Sequence, residues 1–361
     1  DFFLDTPYQN LALLLDIPIV KASEVTADNP LGTGPYSLED GIGGKHLQRV
    51  VGWWCSSDDL VAKDSSIALV EAESPSQIRD EFEFSGLSVV CTNPQTDSYA
   101  DYRCDFELWE VDSGFMMYVG CNVTYSKFFD DGTLRTFLTY GIDRQTLVDD
   151  NYGGLALPTT LPISPMSPYY SKSLATNYDY DEMRFIDAAS KFRVPTNDKG
   201  VPRTLQLLVN SDDSARLRCA RNIAATLTEL GLACETVESP TSVYEARLQA
   251  ANYDIYLGIT KLPTTADLSE FYRQWGEMSW GGLANETIYN MVNQSLADRG
   301  NYYNLHKLVA DDGRIIPVMA GYYAIYAKRG VLSDLNPARD NVFYYTLGKT
   351  MESSKVATQF S

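Results

Sequence analysis

The segment from residue 204 to residue 259 alternates strand patterns with helical patterns, and this alternation constrains the fold more than any other feature. Its strand-length apolar runs are "TLQLLVN", "LACETVE" and "YDIYLGI", and the helical patterns between them are "SARLRCARNIAATLTELG" and "SVYEARLQAAN". A strand followed by a helix and a second strand usually returns to the same sheet in parallel orientation. The segment therefore predicts two consecutive βαβ crossovers and an α/β fold.

Length and charge narrow the class of protein. The chain has 361 residues, and because single cores stop growing near roughly 250 to 300 residues, two lobes with a cleft are expected. The apolar run "LALLLDIPIV" is interrupted by Asp16 and Pro18, so it predicts neither a signal peptide nor a membrane helix. The formal charge of -19 argues against a nucleic-acid partner, since phosphate backbones bind clustered Lys and Arg. A soluble globular chain is expected.

The six cysteines leave two alternatives open. They are spread along the chain without a Cys-x-x-Cys pair, so neither zinc nor redox chemistry is indicated. Either exported disulfides or buried free thiols fit this pattern. If bridges form, the pairs closest in sequence are Cys91 with Cys104 and Cys219 with Cys234.

Residues 1 to about 120 have a strand-rich pattern. "NPLGTGPYSLED" is typical of a turn followed by a strand, and "GFMMYVGCNV" predicts a buried strand. Between the short apolar runs "SIALVEA" and "GLSVVC", the segment "SPSQIRDEFEFSG" predicts a helix with Ser74 near its cap. This order predicts a parallel pair of strands.

The middle and the end of the chain have helical signals. Spacing of apolar residues from Leu134 to Ile142 predicts one helix, and a second is expected after Asp143. A further helix is predicted to start at Asp179, with Glu182 completing a capping box. Residues 285 to 331 predict two helices and a strand, and "NPARDNVFYYTLGK" predicts irregular structure or a last strand.

A collinear set of motifs resembles a known family. "FFDDGTLR" and "TYGIDRQTL", followed by Gly-Gly and a proline-rich arm, are similar to extracellular solute-binding proteins of dipeptide and oligopeptide ABC importers, family 5. Four further stretches resemble the same family in the same order, between about residues 29 and 331: "NPLGTGPYSLED", "NYDYDEMRFIDAA", "YEARLQAANYDIYLGI" and "IIPVMAGYYAIYAKRGV".

The resemblance implies a two-lobed fold of the type II periplasmic-binding-protein kind. Because only 28 residues precede Asn29, where the family has a long segment, the first lobe is expected to be incomplete, by truncation or by loss. The expected division is lobe I at residues 1–118, lobe II at 119–315, and a return to lobe I at 316–361.

The resemblance also implies a function. A noncatalytic receptor would capture a peptide or related solute in the cleft and deliver it to membrane permease subunits, from an extracellular position that is lipid-anchored or periplasmic. No cofactor or metal is implied. The alternative is a ligand-sensing module of the same fold that acts on a regulatory partner.

Candidate site residues follow from position and from the resemblance. Arg216 and Arg218, near the start of a helix, are candidates for a solute carboxylate, with neutralisation of nearby acids as the alternative. Lys261 and Leu262 stand roughly where the resembled family has an acid that pairs with a peptide ammonium. A lysine there would favour a carboxylate instead.

Apolar walls and a hinge complete the predicted site. Trp275 and Trp280 are candidates for cleft walls, with core packing as the alternative. Hinge closure is expected where strands cross between lobes. The candidate hinge residues are Met116, Tyr118, Asn122, Ile316 and Pro317.

An enzyme is disfavoured by the motifs that are missing from the sequence. There is no G-x-S-x-G, no H-E-x-x-H, no phosphate-binding loop and no G-x-G-x-x-G after a strand. His46 and His306 are the only histidines that could serve as ordinary general bases.

Overall fold

The chain divides into two compact units. The computed structural model describes residues 3–4, 7–15, 19–27, 30–41, 43–55, 64–84, 86–94, 102–335, 337–339 and 348–349. Unit 1 contains residues 1–15 and 114–321, and unit 2 contains residues 16–113 and 322–361. The backbone passes between the units after Leu15, after Ser113 and after Gly321.

The strands of the described residues alternate with helices mainly in unit 1. They are β1 (Tyr36–Gly41), β2 (Gly44–Arg49), β3 (Ser66–Ala68), β4 (Val89–Thr92), β5 (Phe106–Cys121), β6 (Leu157–Pro158), β7 (Leu205–Asn210), β8 (Cys234–Ser239), β9 (Ile255–Lys261), β10 (Ile315–Lys328), β11 (Leu332–Asp334) and β12 (Gly348–Lys349).

The α-helices lie mostly between Thr133 and Asp312. They are α1 (Pro75–Phe84), α2 (Thr133–Phe137), α3 (Arg144–Tyr152), α4 (Lys172–Ala175), α5 (Glu182–Lys191), α6 (Ser214–Glu229), α7 (Thr241–Gln249), α8 (Ser269–Tyr272), α9 (Glu286–Ala297) and α10 (Tyr302–Asp312). Short 3₁₀ turns connect several of them.

Unit 1 is built on a sheet with strand order β10-β5-β9-β7-β8. β8 and β9 both pair with β7 in parallel, so the two predicted βαβ crossovers are confirmed. β5 pairs with β9 in antiparallel orientation, from Phe115 opposite Lys261 to Cys121 opposite Ile255. Alternate residues of β5 enter two cores, because successive strand side chains point to opposite faces. Met117 packs in one core and Tyr118 in the other.

Carboxylates cap helices α3 and α5 in unit 1. Asp143 caps α3 by accepting a hydrogen bond from the Thr146 N–H, which confirms the predicted start. The predicted start of α5 is wrong by two residues. Asp181 has extended backbone and its carboxylate accepts from the Arg184 N–H at 3.0 Å, so Asp181 is the cap rather than Asp179.

Among the described residues, unit 2 contains three antiparallel groups of strands, one of which pairs β11 with β12. β1, β2 and β3 form a three-stranded antiparallel sheet, and β4 pairs in antiparallel orientation with residues 324–327 near the end of β10. The predicted parallel pair around α1 is therefore wrong, because β3 and β4 join different sheets. Ser74 caps α1 as predicted, accepting from the Gln77 N–H at 3.3 Å. Most of the predicted tail at residues 336–349 lies outside the described residues.

All six cysteines lie in the described part of the chain, and the structure holds them as unpaired thiols. Cys121 and Cys219 are buried, and burial raises the pKa of Cys219 to about 12. The structure therefore has neither Cys91–Cys104 nor Cys219–Cys234 bridged, and it corresponds to the free-thiol alternative.

Candidate ligand-binding site

The carboxyl ends of β7, β8 and β9 meet at one edge of the unit 1 sheet. Strand β7 ends at Asn210, β8 at Ser239 and β9 at Lys261, and helices α6 and α7 begin shortly after the first two. In open α/β sheets, ligands bind outside the carboxyl ends of the strands. We call this set of strand ends, with the loops that follow them, the carboxyl edge.

The helix starts at the carboxyl edge already carry carboxylates of the chain itself. Asp213 caps α6 by accepting from the Arg216 N–H at 3.0 Å. Asp212 accepts from the backbone N–H of Thr241 at 2.9 Å and from its hydroxyl at 2.7 Å. These hydrogen bonds, the backbone one first, lower the pKa of Asp212, so it stays ionised. The dipoles of α6 and α7 are therefore offset by internal anions before any solute arrives.

Arg216 points inward from the first turn of α6. Its side chain is buried, with Nε 3.8 Å from Asp213 Oδ2 and the guanidinium carbon 5.2 Å from the centre of the Tyr244 ring. Within the described residues, Nε has no hydrogen-bond partner. This is the geometry of a cation that neutralises the cap carboxylate, which was the alternative interpretation of this residue.

Arg218 lies on another side of the same helix. Residues two apart on an α-helix point about 200° away from each other, so Arg216 and Arg218 cannot grip one carboxylate together. Arg218 is exposed, and its Nη2 donates to the Asn151 carbonyl at 3.4 Å, near α3. The structure thus separates the two predicted anchors.

Lys261 and Leu262 follow one another but differ in environment. Lys261 is exposed at the end of β9, opposite Phe115. Leu262 is buried in the core on the Tyr118 face of the sheet, and its N–H donates to the Gly114 carbonyl at 2.8 Å. A direct contact between the Leu262 side chain and a solute would require it to leave this core.

The two tryptophans are also in different environments. Trp275 is 87% exposed and has φ of 62°, an uncommon conformation for a large side chain. Glu270 holds the turn around it, because its carboxylate accepts two hydrogen bonds from Arg273 and one from the Glu277 N–H. Trp280 is half-buried against the core, as in the core-packing alternative.

The predicted hinge residues all belong to unit 1, between three and nine residues from the points where the backbone passes to unit 2 after Ser113 and after Gly321. Met116, Tyr118 and Ile316 are core residues. The Asn122 amide donates to the carbonyls of Ala251 and Tyr253. The Pro317 carbonyl accepts from Arg144, a residue that the sequence did not single out as functional or structural.

Three of the cavities formed by described residues lie away from the candidate side chains. Two in unit 1 are polar, about 550 Å³ beside Tyr178 and about 510 Å³ beside Asp254. One in unit 2, of about 390 Å³, lies beside Ile67 and Val89. None of these three cavities is lined by a predicted site residue.

In the described part of the chain, no group of three or more His, Cys, Asp or Glu side chains is arranged to hold a metal ion. No described helix combines the length and the apolar character needed to cross a bilayer.

Solved structures of other proteins identify the fold. The ABC transporter substrate binding protein CtaP of Listeria monocytogenes is 15% identical, with a TM-score of 0.75 over 97% of this chain and 75% of that chain. NikA from Brucella suis, in complex with Fe(III)-EDTA, is 16% identical with a TM-score of 0.71, over 96% and 76%. The oligopeptide-binding protein AppA from Bacillus subtilis, in complex with a nonapeptide, is 15% identical with a TM-score of 0.60, over 96% and 75%. The fold is that of the type II periplasmic binding proteins.

The family follows from the sequence profile. The profile of bacterial extracellular solute-binding proteins, family 5 Middle, matches residues 4–281, which is more than three quarters of the chain. The chain belongs to this family, and it is a solute-binding protein of the kind that serves ABC importers. No curated protein sequence matches it significantly. The predicted resemblance and the predicted α/β class are confirmed.

Proposed function

We propose that this protein captures a peptide or a related carboxylate-bearing solute outside the cell and delivers it, chemically unchanged, to the permease subunits of an ABC importer. The observation that carries this proposal is the family match over residues 4–281, which includes the whole βαβ block and its carboxyl edge. A lipid-anchored or periplasmic location is part of the proposal, and so is the absence of catalysis.

The exposed side chains of unit 1 favour an anionic or zwitterionic solute. Lys261 stands exposed at the end of β9, and Arg218 is exposed on α6. Guanidinium and ammonium groups both pair with carboxylates, the guanidinium in a two-pronged geometry. Two of the similar structures hold a nonapeptide and an Fe(III)-EDTA chelate, and both ligands carry carboxylates.

A ligand screen tests the solute class. Thermal unfolding would be followed with di- to hexapeptides, free amino acids, nickel chelates and oligosaccharides. A bound ligand at 100 times its dissociation constant stabilises the folded state by about 2.7 kcal/mol, which raises Tm by several degrees. A peptide shift supports the proposal. A shift by another class alone would refute the peptide assignment and leave the solute-binding family in place.

Single variants test which cation contacts the solute. We expect Arg218→Ala to weaken binding of a carboxylate solute by about 1.5 to 3 kcal/mol, the range for a charged hydrogen bond. Lys261→Ala should weaken it by a similar amount if the carboxylate lies at the end of β9. Arg193→Ala, an exposed change after α5, is the matched control. Unchanged affinity in both test variants would show that neither residue contacts the solute.

Hinge motion is the third part of the proposal. Small-angle scattering with and without a saturating ligand would measure it. A smaller radius of gyration with ligand is expected from closure about the five predicted hinge residues. An identical scattering curve would contradict the hinge.

A further inference from the structure

The first residues of unit 1 are attached to its last helices. We call residues 7–15 the strap. The Gln9 N–H donates to the Leu296 carbonyl at 2.9 Å, and the Gln9 side-chain oxygen accepts from the Arg299 N–H at 2.9 Å. Asn10 is completely buried. A buried amide side chain must form its hydrogen bonds inside the protein. The hydrogen-bond partners of Asn10 therefore show which parts of unit 1 the strap contacts.

Asn10 forms the middle of a directional chain of hydrogen bonds. Arg299 Nε donates to the Asn10 side-chain oxygen. The Asn10 amide nitrogen then donates to the Tyr302 hydroxyl at 3.1 Å, and that hydroxyl donates to the Thr265 carbonyl at 2.6 Å. We call this chain of Arg299, Asn10, Tyr302 and Thr265 the relay. Each group in it uses its donor in one direction, so loss of one member leaves its neighbours unpaired.

The relay ends in the loop that follows β9. This loop, residues 262–268, comes directly after Lys261 and contains Thr265, which is buried. Ala266, the residue after Thr265, has φ of 51°. This is the left-handed region, which is energetically unfavourable for alanine. Such a conformation persists only where the surroundings over-determine it. The hydrogen bond from the Tyr302 hydroxyl to the Thr265 carbonyl, immediately before Ala266, is one contact that holds this conformation.

Tyr302 itself is held in place. Its ring stacks on Tyr169 with centres 4.6 Å apart and planes 12° apart. Burial raises its pKa to about 12, so the hydroxyl keeps the proton that it donates at every physiological pH. Tyr8 adds a second bond from the strap to the same loop residue, from its hydroxyl to Thr265 Oγ1 at 3.3 Å.

We propose that Asn10 and Tyr302 are positioning residues, which hold the loop after β9 in the conformation that binds solute at the Lys261 end of the carboxyl edge. The strap thereby sets the solute affinity of a site from which it is remote in sequence. The part of this proposal that concerns solute affinity, which we call its affinity arm, rests on the proposed function. The part that concerns the conformation of the loop, which we call its structural arm, rests on the relay alone.

Two variants break the relay while keeping its volume. Tyr302→Phe removes the hydroxyl and leaves the ring to stack on Tyr169. Asn10→Asp replaces the amide donor by an acceptor, which draws the Tyr302 hydroxyl away from the Thr265 carbonyl. Tyr303→Phe, at the exposed neighbour on α10, is the matched control.

Hydrogen exchange without any solute tests the structural arm. We expect amide protection at residues 264–268 to fall about tenfold in both relay variants, because one constraint on the loop is lost, and protection at residues 305–309 of α10 to stay unchanged. A merely structural role would lower protection in α10 and in the loop together. That uniform loss, or full protection in the loop, would overturn the proposal.

Calorimetry with tri-alanine and penta-alanine tests the affinity arm. A roughly three- to tenfold increase in Kd is expected for both relay variants, with Tyr303→Phe equal to the wild type. Unchanged affinity together with a loosened loop would overturn the link between relay and site. If neither peptide binds the wild type, the peptide assignment fails, and the exchange result still decides whether the relay holds the loop.

Discussion

Arg144, the arginine of the motif "TYGIDRQTL", is one of the largest side chains that the fold buries completely. It is 1% exposed, and its Nε donates to the Pro317 carbonyl at 2.8 Å. Its terminal nitrogens donate to the Thr139 hydroxyl at 2.8 Å and to the carbonyls of Thr139 and Ile142 at 3.2 Å. Burial lowers its pKa to about 10, so it remains charged at neutral pH. It thus connects the start of α3 to strand β10.

Replacing Arg144 should therefore destabilise unit 1. We expect Arg144→Met to lower the free energy of unfolding by about 3 kcal/mol or more, because several buried acceptors lose their donor. Arg144→Lys should restore little, since an ammonium cannot reproduce the planar fork. Urea denaturation measures both, with exposed Arg193→Ala as control. A loss below about 1 kcal/mol would show that water replaces these bonds.

His306 is a buried histidine of helix α10. It is 0% exposed on α10, and among the described residues neither ring nitrogen has a hydrogen-bond partner. Its ring is tilted against that of Tyr302, with centres 5.8 Å apart. Burial lowers the pKa of His306 to about 4. The folded protein therefore keeps this imidazole neutral where an unfolded chain would protonate it.

The sign of the resulting pH dependence follows from linkage. Between the unfolded pKa of about 6.5 and the folded pKa of about 4, the unfolded state binds a proton that the folded state does not. Stability is present above about pH 6.5 and falls as the pH is lowered to about 4, by roughly 3 kcal/mol. Urea denaturation of wild type and His306→Phe across this range isolates the contribution. Parallel pH profiles would contradict it.

At the scale of elements, the start of a helix depends on which carboxylate reaches the free N–H groups of the first turn. The segment Asp179–Asp181 offers two candidate caps, and the sequence pattern with Glu182 favoured the first. The structure uses Asp181, because its carboxylate reaches the Arg184 N–H, whereas the Asp179 carboxylate accepts from the adjacent Tyr180 N–H.

A pair of substitutions separates the two carboxylates. Asp181→Ala should lower the free energy of unfolding by about 1 kcal/mol, the usual effect of removing a helix cap. Asp179→Ala should stay within about 0.5 kcal/mol, as exposed positions usually do. Urea denaturation of the two variants side by side is the measurement. Equal losses would mean that both carboxylates support the helix.

At the scale of the whole molecule, charge is the dominant feature. The formal charge is -19, and described ion pairs such as Arg221–Glu238 and Lys307–Asp311 are at the surface. Surface pairs contribute little, whereas net charge far from zero destabilises a compact state through self-repulsion. Screening by salt reduces that repulsion.

Salt should consequently raise the thermal stability. We expect Tm to increase by a few degrees between about 10 mM and about 300 mM NaCl, since the Debye length falls well below the distances between surface charges. Choline chloride at the same ionic strength should act equally if screening is the cause. A rise with sodium alone would point to specific cation binding, and a fall would show that surface pairs outweigh repulsion.

Much of the fold could be predicted because its signals are local. The βαβ block has strand and helix periods that each depend on a few neighbouring residues, and the caps at Ser74 and Asp143 act across three residues. The candidate site could be predicted less well from the sequence. Arg216 and Arg218 are only two residues apart in the sequence, yet helix geometry turns one toward Tyr244 and the other toward Asn151.

The sequence by itself determined the family, the α/β class and the order of the unit 1 crossovers, because motif identity and hydrophobic period are properties of contiguous residues. Only the tertiary structure decided that β3 and β4 join different sheets, that Arg144 is buried against β10, and that Asn10 contacts Tyr302. These outcomes depend on which distant segments meet. Asn10 and Tyr302 are 292 residues apart, and no local pattern records their contact.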